Sequence, residues 1–102
     1  MATLYVTEFA RQGIDARSNV TVMADQPPVA EQTVAIGAGS VQSSAFNALT
    51  TFVRLHTDAI CSVSLGANPT ATTATMRLAA NTTEYFTIPQ GQSWKVAVIT
   101  NT

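Results

Sequence analysis

An all-β fold, a small antiparallel β-sandwich of seven or eight short strands, is what this 102-residue sequence predicts. Three observations lead there. Sixteen Thr and ten Val favour half-buried pleated surface, while Lys is nearly absent and Leu is scarce for a helical protein. Several runs of about six residues alternate between apolar and polar side chains, the period of a strand with one buried face. Turn-forming residues separate these runs at short intervals, as in sandwiches and small barrels. A jelly-roll-like and an immunoglobulin-like strand order both fit the pattern.

Each element has its own reason. Thr3 to Phe9 sets Leu4, Val6 and Glu8 against Tyr5, Thr7 and Phe9, and either face could point inward. Residues 10–31 break the pattern. They gather five of the eleven charges (Arg11, Asp15, Arg17, Asp25, Glu31) around Gly13, Asn19 and Pro27-Pro28, so an extended excursion with one short strand near Asn19 to Met23 is expected. Gln32 to Gly37 reads as a strand ended by Gly37-Ala38-Gly39-Ser40, and a short strand follows at Val41 to Phe46. Thr51 to Thr57 alternates with Val53 and Leu55 inward and with Phe52, Arg54 and His56 outward. Ile60 to Leu65 alternates next, and Asp58-Ala59 between them predicts a tight hairpin, with a three- or four-residue loop as the alternative. The small residues from Gly66 to Ala74 predict a surface loop that satisfies its own backbone through hydroxyls. Strands at Thr75 to Ala79 and Thr82 to Ile88 flank a turn at Ala80-Asn81. Pro89-Gln90-Gly91 predicts a type I turn with Gly91 left-handed, leading into a last strand at Ser93 to Thr100. That strand is apolar on both faces, which places it either centrally in the sandwich or at an interface between copies.

The length bounds the chain to a single domain, residues 1–102, with room for one core and little for a deep substrate cleft. A net charge of −1, with basic and acidic groups scattered singly, gives no footprint for nucleic acid or an anionic membrane. The first residues lack a basic region followed by an apolar stretch, and no run of 18 apolar residues occurs, so neither a signal peptide nor a membrane span is expected. A lone cysteine, Cys61, cannot close an internal disulfide, and no zinc-binding cluster is present.

Few groups could carry chemistry. Cys61 shares a face with Val63 and Leu65 and reads as a small buried hydrophobe. A two-residue hairpin would bring it opposite His56, whereas an odd loop or a bulge restores Leu55 and Val53 as its neighbours, and the odd loop is the reading preferred here. His56 and Asp58 stand at metal-ligand spacing for a strand but lack a third ligand. Glu8, Asp15, Asp25, Glu31, Asp58 and Glu84 are mutually isolated in sequence, so no carboxylate pair suggests glycoside chemistry. Gly37-Ala38-Gly39 lacks the remainder of a dinucleotide fingerprint, and Asn81-Thr82-Thr83 matches a glycosylation sequon that matters only in a secretory compartment. Tyr5, Tyr85 and Trp94 are candidates for sugar stacking, with core or interface packing the preferred role. No catalytic residue, cofactor or metal site is assigned.

A family resemblance reaches further. Thr57-Asp58-Ala59-Ile60-Cys61, Gly66 to Thr72, Met76 to Asn81, Glu84-Tyr85-Phe86 and Trp94 to Ile99 look like phrases of small tailed-bacteriophage virion proteins, and the chain as a whole resembles those of the head. The resemblance implies a non-enzymatic capsid decoration or cement protein, made in the host cytoplasm, that binds the major capsid protein on the assembled shell and stabilises the head. The alternative is a carbohydrate- or receptor-binding module of a phage head or tail fibre. A homodimer or homotrimer is expected, with neither nucleic acid nor membrane as partner. Residues 10–31 are expected to form the partner-binding arm, with Arg11, Arg17, Pro27 and Pro28 as its contact residues; the two arginines would supply charge-assisted hydrogen bonds.

Overall fold

The computed structural model describes residues 2–14, 16–17, 19–24 and 26–102, and for residue 14 and residues 20–23 it describes the backbone alone. Strands account for all the regular structure among them: β1 (Thr3–Phe9), β2 (Gln12–Ile14), β3 (Val20–Ala24), β4 (Ala30–Ala35), β5 (Val41–Gln42), β6 (Phe52–Thr57), β7 (Cys61–Gly66), β8 (Met76–Leu78), β9 (Thr82–Thr87) and β10 (Lys95–Thr100). Eight of them build two four-stranded antiparallel sheets, ordered β4-β1-β6-β9 and β5-β10-β7-β8. The other two form a separate antiparallel hairpin, β2-β3, so the excursion holds two short strands where one was expected.

The pairings are nested. β7 pairs with β8, β6 with β9 and β5 with β10, so the chain from β5 onward is one long double strand folded over into two layers. That is the logic of a jelly roll. In an ordinary one, a strand after β10 would pair with β4 and also lie beside β6; here β1 takes that place. Between the two strand orders left open by the sequence, this pairing selects the jelly-roll-like one.

The nesting corrects one sequence expectation. β6 and β7 do not form a hairpin, because β6 pairs with β1 and β9 in one sheet while β7 pairs with β10 and β8 in the other. Residues 58–60 therefore arch from one layer to the next. The Thr57 side chain holds the arch from within: its Oγ1 lies 2.5 Å from the Ala59 carbonyl oxygen, to which it donates, and accepts from the Ala59 amide at 3.2 Å. Local alternation cannot distinguish an arch from a hairpin, since both ask only for two adjacent amphipathic strands.

Alternation does place the core. Leu4, Val6, Val34, Val53 and Leu55 of the first sheet face Cys61, Val63, Leu78, Val96 and Val98 of the second, with Phe46 and Ile88 packed among them. One inward residue is a carboxylate. Glu8 is 1% exposed, and neutral donors hold it: the Asn47 amide at 2.6 Å and the Thr50 hydroxyl at 2.9 Å on Oε1, and the Gln32 side-chain amide at 3.3 Å on Oε2. Gln32 then grips Ser44, accepting from its amide at 2.9 Å and donating to its carbonyl at 3.3 Å. Together these bonds fasten residues 43–50, which carry the chain from β5 in one sheet to β6 in the other. The first strand's inward face is thus Leu4, Val6 and Glu8.

The outer face of the second sheet is strapped. Gln42 donates to Asn68 Oδ1 at 2.9 Å and to the Pro69 carbonyl at 2.7 Å, Ser40 Oγ accepts from the Ala71 amide at 2.9 Å, and Asn101 donates to Ser62 Oγ at 2.7 Å and the Thr73 carbonyl at 3.2 Å. These bonds draw residues 67–75 across the sheet, burying Pro69 and Ala71 in the loop and Ser62 and Ala97 beneath it. The loop expected merely to lie at the surface is a cover. The two-sided apolarity of β10, central between β5 and β7, is thereby accounted for within one chain.

Glu8→Ala should lower unfolding stability by about 3 kcal/mol, since it strands the Thr50 hydroxyl and the Asn47 amide together. Glu8→Gln keeps one acceptor oxygen and should cost about 1 kcal/mol, and urea titration of both variants checks the order.

Candidate functional site

With one outer face strapped, the opposite one is the larger open surface. Strand register builds it in rows: Tyr5, His56 and Thr83; Thr7, Arg54 and Tyr85; Phe9, Phe52 and Thr87. Phe9 and Phe52 stack at 5.2 Å between ring centroids, and Phe9 is buried there although it points away from the core. Tyr5 and His56 meet at 6.2 Å with tilted rings. Tyr85 is 58% exposed and Tyr5 44%. The third aromatic candidate, Trp94, is half-buried and packs against the core, as the preferred packing role requires.

The root of the β2-β3 hairpin and this face enclose an open cleft of about 890 Å3. Phe9 and Phe52 line it from the sheet with Arg54 and Tyr85, and Gln12, Ala24 and Gln26 line it from the arm. Arg54 is half-buried. Among the described residues its guanidinium meets one hydroxyl, Thr83 Oγ1, at 3.5 Å, and no carboxylate. The same hydroxyl lies 2.8 Å from His56 Nδ1.

The arm carries the sequence-selected contact residues. Arg11, Arg17 and Pro27 are exposed and Pro28 is half-buried. Arg11, Pro27 and Pro28 flank the root of the hairpin, where Gln12 pairs with Ala24, while Arg17 lies in the turn between β2 and β3. The structure therefore divides the four between root and tip. Asp15 and Asp25 lie outside the described residues.

The nucleophile and the base are kept apart. Cys61 points into the core, where its thiol donates to Thr57 Oγ1 at 3.6 Å, whereas His56 lies on the outer face of the first sheet. A Cys-His dyad is impossible in this arrangement. Burial pushes the Cys61 thiol above its ordinary pKa; the Thr57 hydrogen bond pulls the other way, and the nearby Asp58 charge adds to the rise. Asp58 itself accepts from the Thr3 amide at 2.7 Å, a bond between the arch and the first strand. Among the described residues, no group of three or more His, Cys, Asp or Glu side chains could hold a metal ion.

Neither a protein-family model nor a curated protein matches the chain, and no solved structure matches it. The resemblance to phage virion proteins rests on the sequence phrases alone.

The cleft itself was not anticipated. Outward Phe52, Arg54 and His56 were legible from alternation, but only the β6-β9 pairing brings Tyr85 beside Arg54, and only the fold of the arm gives them a wall.

Raised thiol pKa fixes the sign of an alkaline effect. Because the folded state keeps its proton to higher pH than the unfolded state, the associated stability is complete below the unfolded thiol's value of 9.0 and is lost as pH rises through the folded value. Stability of the wild type should fall across that alkaline range more steeply than that of Cys61→Ala, as chemical denaturation at stepped pH would show. A thiol reagent should label Cys61 only after unfolding.

Proposed function

We propose that this chain is a non-enzymatic structural protein of a phage head, a decoration or cement protein that binds the major capsid protein on the assembled shell through its β2-β3 arm. One observation carries the docking role. Among the described residues the arm is a two-stranded sheet of its own, joined by no strand pairing to either layer of the sandwich, and such a hairpin is marginal in water unless something packs against it. Its position is that of an insertion: β1 and β4 are adjacent antiparallel strands paired from Thr3 with Ala35 to Glu8 with Ala30, and the arm leaves from their shared end. The identity of the partner rests on the resemblance. Jelly rolls serve as viral capsid and lectin domains, an analogy of fold that agrees with the reading without deciding it.

Mechanistically, a protein that binds assembled subunits in preference to free ones stabilises the shell by mass action, and two or three copies acting as one oligomer add avidity. Arg11 and Arg17 supply the arm with charge-assisted donors for carboxylate or carbonyl groups.

A second reading, a receptor- or carbohydrate-binding module, is favoured by the cleft, where exposed Tyr85 stands beside Arg54.

Excising residues 11–28 joins Ala10 to Val29, leaving a short hairpin loop between Glu8 and Ala30, a connection that antiparallel strands accept. The variant should keep a β-type circular dichroism spectrum and a cooperative melt. It should lose binding to intact heads, and heads lacking the protein should be less resistant to heat. Full occupancy of heads by the excised variant would refute the arm's role, and unchanged heat resistance would refute cementing.

A further inference from the structure

The cleft between the arm and the first sheet combines an aromatic floor, a cation with spare donors among the described residues, and uncharged side chains that both donate and accept. Flat apolar surface comes from Tyr85, the cross-strand partner of Arg54, and from Phe52, two residues before Arg54 on the same face of β6. The volume, about 890 Å3, falls within the range of small-ligand sites. Arg54 has five N–H donors, and only one long hydrogen bond, to Thr83, engages them among the described residues. Glu31 shares its row, but Thr7 stands between them; two strand spacings, about 10 Å, separate their backbones, close to the screening length of physiological salt.

We infer that this cleft binds an acidic saccharide, with the sugar ring against Tyr85 and Phe52 and its carboxylate in the fork of Arg54. This rests on the second functional reading and narrows it to a ligand class. An Arg fork matches a carboxylate with two parallel hydrogen bonds, and the partly desolvated setting strengthens them. The remaining polar groups of the wall, Gln12, Gln26, Thr51 and Thr87, both donate and accept. That is the property of vicinal hydroxyls, which also do both. An acidic peptide would ask for several cations, and among the described residues that line the cleft Arg54 is the one cation.

The test uses the full chain on an array of uronic-acid, sialylated and neutral oligosaccharides, followed by titration with trigalacturonate and with its methyl ester, which keeps the shape and removes the charge. Trigalacturonate or a sialylated glycan should bind, added salt should weaken binding, and the ester should bind at least about tenfold more weakly than the acid, the usual worth of a charged hydrogen bond. Arg54→Gln should abolish that preference and Arg54→Lys should restore part of it, with unchanged melting temperatures confirming the fold. Tyr85→Ala, at an exposed position, should weaken the acid and the ester alike. Equal binding of neutral and acidic sugars would overturn the acidic assignment while leaving a carbohydrate module standing. Absence of any saccharide binding at millimolar ligand would overturn both. Capture by an oligoglutamate peptide as tight as by the uronate would overturn the saccharide class.

Discussion

A buried carboxylate holds the two layers of this molecule in register. Glu8 reaches from near the end of β1 toward the segment that crosses from β5 to β6, and its oxygens take a backbone amide, a hydroxyl and a side-chain amide. Burying a charge is costly unless hydrogen bonds replace its water, and every buried side-chain polar atom described has a partner. This anchor holds the crossing segment through its Asn47 backbone amide and its fully buried Thr50 hydroxyl. Gln32 extends the same network to Ser44 and ties β4 to the crossing. The layers are thus joined by apolar packing in the middle and by a polar clasp at one end.

The two outer faces have opposite fates. Small residues let residues 67–75 lie flat across the second sheet, with Pro69 and Ala71 buried against it and Gln42 and Asn101 gripping the strap at either side. Nothing comparable lies over the whole of the first sheet. Its Phe9 end is walled by the arm, and the rest exposes tyrosine, threonine and histidine rows. Under either proposed reading, recognition of a capsid subunit or of a ligand would fall to the arm and the face beside it. A shared jelly-roll pairing says little about which, since function resides in the site and not in the fold.

The sequence by itself determined the class of fold and most of the core. Alternation with a period of two is local, so Val53 and Leu55, Cys61 and Val63, and Val96 and Val98 declare their shared faces without reference to any partner strand. Gly91, at φ 76°, and the turn at Ala80-Asn81, with Asn81 at φ 60°, were equally legible because turn chemistry is also local. The burial of Cys61 followed from its neighbours in the run.

Tertiary structure decided what depends on pairing between distant segments. Whether β6 and β7 form a hairpin or an arch is fixed by competition among strands far apart in sequence, which here sends β6 to β1 and β9 and β7 to β10 and β8. The inward face of β1 was undecidable from alternation because a glutamate occupied one of its places, and only the donors gathered from Gln32, Asn47 and Thr50 make that carboxylate a core residue. The cleft is the extreme case. Its members come from β1, β6 and β9 and from both sides of the arm, so no window of sequence contains it, and its chemistry exists only once those strands lie side by side.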